Sequence, residues 1–108
     1  MAKIDIITLS AFTASDGSLL ASGATVKFSS EFMIGNTDII VRPKAWRNRE
    51  LFEDGFDSVG TKEIPQELYL QVPEEEYYTL TPTLLYEYVK DELNAELGAD
   101  VFEVVITP

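Results

Sequence analysis

Thr25–Trp46 reads TVKFSSEFMIGNTDIIVRPKAW, and this stretch decides the fold. Val26, Phe28, Ser30, Phe32 and Ile34 alternate with Thr25, Lys27, Ser29, Glu31 and Met33, which is the period of a strand with one buried face. Gly35-Asn36 supplies a two-residue loop of the primed type, where a positive φ costs little. Such a loop sets Ile34 opposite Thr37, Phe32 opposite Ile39, Ser30 opposite Val41 and Phe28 opposite Pro43. The apolar residues of both strands then share a face, so turn chemistry and hydrophobic pattern agree on one register. The other face carries Lys27, Glu31, Ile40, Arg42, Lys44 and Trp46. Pro43 cannot donate to a ladder, so this end of the second strand is expected at an edge or a bulge.

Outward from the hairpin, Lys3–Thr13 reads as one strand that is apolar on both parities, and such a strand is either covered on both faces or bulged between Ile6 and Ile7. Asp16-Gly17 marks a turn. Ser15–Gly23 reads as a loop with a short edge piece at Leu19-Leu20. Arg47–Lys62 lacks a period and is rich in charge and glycine, so it reads as a long ordered loop with room for one helical turn at Arg49–Glu53. Leu68, Leu70 and Val72 alternate with Tyr69 and Gln71 in a strand that Pro73 ends, and Glu74–Tyr78 leads onward.

The helix is signalled at both ends. Thr81 is an N-cap residue, Pro82 suits the first helical position, and Gly98 suits the C-terminal cap. Leu84, Leu85, Tyr88, Val89, Leu93 and Leu97 form the apolar stripe, with Glu87, Lys90, Asp91, Asn94 and Glu96 on the other side. Val101–Ile106, apolar on both parities, reads as a central closing strand. A right-handed crossover through the helix would make it parallel to the Leu68 strand. The expected fold is a single domain over residues 1–108, of the α+β class. It has a mostly antiparallel sheet of about five strands, a long β-hairpin, and one amphipathic helix packed on the sheet.

The chain has 108 residues, no cysteine, no histidine and a formal net charge of −11. Without those two residue types there is no disulfide framework, no thiolate chemistry, none of the common zinc sites, and no histidine base. No cofactor, metal or small-molecule substrate is expected, and the chain is read as non-enzymatic. The longest aliphatic runs, Ile39–Val41 and Val104–Ile106, are far too short for a membrane span. No signal-peptide pattern is visible at the start.

The charge is unevenly spread. Residues 1–49 carry six basic and four acidic residues, a net of +2, whereas residues 50–108 carry two basic and fifteen acidic, a net of −13. Half of the basic residues fall within Arg42–Arg49. Either folding intermixes the two sets and the acidic excess serves solubility, or the surface is bipolar, with a basic arm that meets an acidic body on a neighbour.

Arg42, Lys44, Arg47 and Arg49 surround Trp46, a mixture that can stack and neutralise a single-stranded nucleic acid. The net charge opposes a polyanion, and Trp with Arg is the signature of protein-interface hot spots. A protein interface is therefore the preferred reading. Glu53, Asp54 and Asp57 around Gly55 lack the spacing of a calcium loop and read as a solvated acidic loop, and within the assembly reading Glu50–Asp57, with Glu50, Glu53, Asp54 and Asp57, is the expected second contact. Glu74-Glu75-Glu76 fits either a basic partner or a solvated lead into the helix, whose dipole favours acids there.

The hairpin Val26–Trp46, the charged loop Arg47–Lys62, the single helix Pro82–Leu97 with its C-terminal strand, and the bipolar charge together resemble a known type of protein. It is that of the small, unprocessed, Cys-free structural proteins in the neck and tail assembly of tailed bacteriophages. The resemblance implies a subunit repeated in a ring or tube, in a virion assembled in the host cytoplasm, contacting copies of itself and other virion proteins. A different expectation comes from the acids alone: a small binding module of the inhibitor, immunity or DNA-mimic type that engages a basic partner.

Overall fold

The computed structural model describes residues 3–33 and 35–108. The elements are β1 (Lys3–Thr8), β2 (Phe12–Thr13), β3 (Leu19–Leu20), β4 (Thr25–Phe32), β5 (Asp38–Trp46), α1 (Arg49–Glu53), β6 (Leu68–Gln71), α2 (Glu74–Tyr77), α3 (Pro82–Leu97) and β7 (Phe102–Thr107). The fold is α+β. Five strands form one sheet in the order β6-β5-β4-β1-β7, every neighbouring pair antiparallel, and β2 with β3 form a second, two-stranded sheet. Among the described residues no helix is long and apolar enough to cross a membrane.

The hairpin of β4 and β5 has the register that its loop and alternation dictate: Phe32 faces Ile39, Ser30 faces Val41 and Phe28 faces Pro43. Gly35 takes φ +92°, and the Asn36 side chain accepts a hydrogen bond from Asp38 N at 2.9 Å, which tightens the turn. The expected pair Ile34–Thr37 includes a residue outside the described ones. Pro43 sits just past the last β5–β6 pair, Val41–Leu68. The Ala45 carbonyl, two residues on, turns away from β4 to accept from Val59 N at 2.7 Å. By alternation the proline nitrogen points out at the same free edge, where a missing donor costs nothing.

Cross-strand pairing places Ile6, Val26, Ala45, Val41, Ile39, Leu68, Leu70 and Phe102 on one face of the large sheet, all of them buried. On that face lies α3, with Val89 and Leu93 fully buried in the same core. Thr81 Oγ1 accepts from Leu84 N at 3.2 Å, Pro82 occupies the first turn, and Gly98 ends the helix at φ +67°, so the sequence signals at both ends operate. Phe12 from the small sheet stacks on Phe102 with ring centroids 5.4 Å apart and closes one end of the core.

Three expectations are corrected and one open alternative is decided. The stretch Lys3–Thr13 is not one strand: it breaks after Thr8, and Phe12-Thr13 pairs with Leu19-Leu20 instead. No bulge separates Ile6 from Ile7, because both pair in unbroken register with β4 and β7. Residues on both parities of β1 are covered, since Asp5 is buried on the face opposite α3. The closing strand β7 is an edge, not a centre: it runs in the same direction as β6 but at the far side of the sheet, so α3 crosses the whole sheet between them. Val101 and Val105, half-buried on the parity opposite Phe102, Val104 and Ile106, supply the second apolar parity that mimics a central strand. Finally, Asn94 is not on the solvent side of α3. Its Oδ1 accepts from Val101 N and Phe102 N, both at 2.9 Å, and its Nδ2 donates to the Phe102 carbonyl at 3.3 Å. The lead into α3 also holds the short helix α2, and Tyr77 at its end packs edge-on against Phe32 of the hairpin.

Candidate protein interface

The face of the sheet opposite α3 is set by the other parity of each strand: Lys27, Ser29 and Glu31 on β4, Ile40, Arg42, Lys44 and Trp46 on β5, and Tyr69 on β6. The chain covers one end of this face with α1. Asn48 caps α1 by accepting from Leu51 N at 3.0 Å. Phe52 of α1 meets the Trp46 ring edge-to-face, centroids 4.9 Å apart, while Trp46 Nε1 donates to the Phe56 carbonyl at 2.7 Å. Trp46 is thereby held half-buried in one orientation.

A carboxylate beneath α1 sorts the cations of this face. The Asp5 side chain is 7 % exposed, and its two oxygens meet Lys27 Nζ at 2.7 Å and Arg49 Nη1 at 2.8 Å. The Lys27 contact is an ion pair without hydrogen-bond alignment; the ammonium donates instead to the Ile4 carbonyl at 2.6 Å. That carbonyl is reachable because the β1–β4 ladder stops at Ile6–Val26 and the two strands part. Tyr86 of α3, packed on Phe28 at 4.7 Å, brings its hydroxyl to 3.4 Å from the same ammonium. Arg49 goes on to Glu53, Nε to Oε1 at 2.8 Å, and Glu53 also accepts from Lys3 at 3.0 Å. The Lys3 hydrogen bond, with the charges of Lys3 and Arg49, holds the Glu53 carboxyl below its ordinary value.

The sequence-derived candidates therefore separate. Arg42, Lys44 and Trp46 stand together on the exposed part of the face, around a hollow of about 320 Å³ that Phe52 and Tyr86 also line. Arg42 contacts Glu67 at 3.2 Å and Glu31 at 3.5 Å. Lys44 has no carboxylate within ion-pair distance among the described residues. Arg49 is turned inward to Asp5. Arg47 points to the small sheet, where it donates to the Leu19 carbonyl at 3.2 Å and lies near Asp16, whose carboxyl is held low chiefly by the Ser18 hydroxyl. Of the acidic set, Glu53 is engaged by Lys3 and Arg49, Asp54 ends α1 through its N–H to the Glu50 carbonyl, and Glu50 and Asp57 are exposed.

Three aromatic residues that the sequence reading did not assign to this face complete it. Phe52 and Phe56 are exposed aromatics beside Trp46, and Tyr69 lies next to Ile40 with its hydroxyl donating to Glu67 at 2.7 Å. Tyr69 was readable in principle, since it alternates with Leu68 and Leu70 and so takes the parity of the open face. No family model, curated protein or solved structure matches the chain.

Proposed function

We propose that the chain is a non-enzymatic structural subunit that repeats through contacts with its own copies and with other structural proteins. The form is a ring- or tube-like assembly such as a phage neck or tail. The observation that carries the reading is the solvent-facing Lys44, without a carboxylate in ion-pair distance among the described residues, in an aromatic hollow with Arg42, Trp46 and Phe52 beside it. Buried anchors of this composition dominate protein interfaces, and an exposed sheet face of this kind is a docking surface in want of a partner. The complementary surface is available on another copy. Residues 74–100, which hold α2 and α3 on the opposite side of the sheet, carry eight acids and a single base, Lys90. A basic, aromatic front and an acidic back favour head-to-tail contacts, which close into rings or continue as filaments. Negative-stain microscopy of the concentrated protein tests the reading: rings or tubes are expected at low salt, and isolated particles at every concentration would contradict it.

A further inference from the structure

The second free region is an edge rather than a face. Strand β7 pairs with β1 along one side only, in six consecutive pairs without a bulge. Leu9 N donates to the Val101 carbonyl at 2.8 Å, so that carbonyl and the backbone groups of Glu103 and Val105 point at β1. Those of Phe102, Val104 and Ile106 point the other way. The geometry of Asn94 agrees, because its amide meets both the N–H and the C=O of Phe102 from outside the sheet, as an added strand would. Beyond Phe102 this substitution ends. Val104 and Ile106 present two N–H and two C=O groups with no partner among the described residues. Ile106 itself is 52 % exposed.

Proteins normally blunt such an edge with proline, lysine, a bulge or a covering segment. From Glu103 to Thr107, beyond the Asn94 cover and before Pro108, the edge holds none of these, and its one charge is Glu103. A groove of about 740 Å³ runs beside it under the C-terminal half of α3. Glu87, Asp91, Asp100 and Glu103 line this groove against one base, Lys90. The Lys90 ammonium is already held by Asp91 at 2.7 Å and Glu87 at 3.1 Å, and these contacts raise its pKa. The groove is thus acidic with its own cation committed.

We propose that β7 accepts an extended, lysine- or arginine-bearing segment of a partner protein as a sixth strand of the large sheet. The Val104 and Ile106 backbone supplies the hydrogen bonds and the α3 carboxylates select the cations. Strand addition draws affinity from the backbone and specificity from alternate side chains. Here the residues pointing towards α3 meet Glu87, Asp91 and Asp100, and their aliphatic stems lie along Ile106. The intervening residues lie beside Glu103 and Val105. A second copy of β7 is disfavoured as the occupant because it would set two acidic grooves side by side. The inference shares the carboxylates of α3 with the assembly reading, but its backbone contacts lie at Val104 and Ile106 on the sheet edge, so protection of those amides distinguishes the two.

The test is titration of the isotope-labelled full chain with a blocked decapeptide of alternating lysine and valine, read by amide shifts and hydrogen exchange. Expected are shifts and new protection at Val104 and Ile106, affinity that falls with salt, and a loss of at least about tenfold when alternate peptide amides are N-methylated. Val104→Pro, which removes an outward donor without touching the β1 ladder, should weaken binding similarly while the β1 amides stay protected. The proposal is overturned if the peptide fails to bind, or if a glutamate–valine decapeptide binds equally well. It is also overturned if the shifts fall elsewhere, or if Val104 and Ile106 become protected with rising protein concentration alone, which would identify the occupant as a second copy.

Discussion

Lys27 and Lys44 stand directly opposite one another on adjacent strands, and Asp5 takes up the charge of only one of them. Like charges in register repel. The conflict is relieved because Lys27 bends back to Asp5 and the Ile4 carbonyl, leaving Lys44 alone at the surface. The same carboxylate withdraws Arg49. One buried acid thus decides which members of a basic cluster are structural and which remain to meet a partner.

Asp5→Ala should therefore destabilise the fold by about 3 kcal/mol, because it leaves the partly buried Lys27 without its counter-ion and Arg49 with Glu53 alone. Urea unfolding of the variant measures this. Lys44→Ala, which breaks no side-chain hydrogen bond or ion pair among the described residues, should unfold within about 0.5 kcal/mol of the wild type. Equal losses for the two variants would contradict the division between them.

Asn94 joins the end of α3 to the start of β7 through three hydrogen bonds to backbone groups. Asn94→Ala strands the N–H and C=O of Phe102, while Val101 N keeps the Ala99 carbonyl at 3.0 Å, and should cost about 1–3 kcal/mol. Asn94→Asp keeps the two acceptor contacts but loses the donor to Phe102, so its loss should be smaller. Denaturation midpoints of the two variants give the order directly.

Glu53 gives a pH signature. Its folded pKa lies below the ordinary 4.5, chiefly because Lys3 donates to it, so the carboxylate favours the folded state. That contribution is complete above the ordinary value and disappears as pH falls through the folded one. A carboxyl titration followed by NMR should place the Glu53 midpoint below 4.5. Lys3→Ala should move the midpoint upward. Because the side chain is exposed, added salt should reduce the difference.

The parts of this structure that could be read from sequence are those specified locally and more than once. The hairpin register follows both from the Gly35-Asn36 loop and from the alternation of Val26, Phe28 and Phe32. Helix α3 follows from Thr81, Pro82 and Gly98 as well as from its apolar stripe. The position of β7 was not readable, because Val105 set against Val104 and Ile106 looks the same whether a strand is buried on both faces or lies half-covered at an edge. The sorting of the basic residues was hidden for a different reason. Asp5 acts on Lys27 and Arg49 through strand pairing and the placement of α1, neither of which leaves a trace in the spacing of residues 42–49. Asn94 was misplaced because a polar residue on a helix reads as solvent-facing unless the backbone it serves is known.

The most direct test of the assembly account is the solution mass of the wild type, Lys44→Glu and Lys62→Glu, by size exclusion with light scattering at low and high salt. Lys62 is exposed and lies outside the open face, so the two variants carry the same change in net charge. The account predicts a multimer for the wild type and for Lys62→Glu at low salt, reduced by high salt, and a monomer for Lys44→Glu. A wild type that is monomeric under all conditions, or a Lys44→Glu protein that assembles as the wild type does, would contradict it.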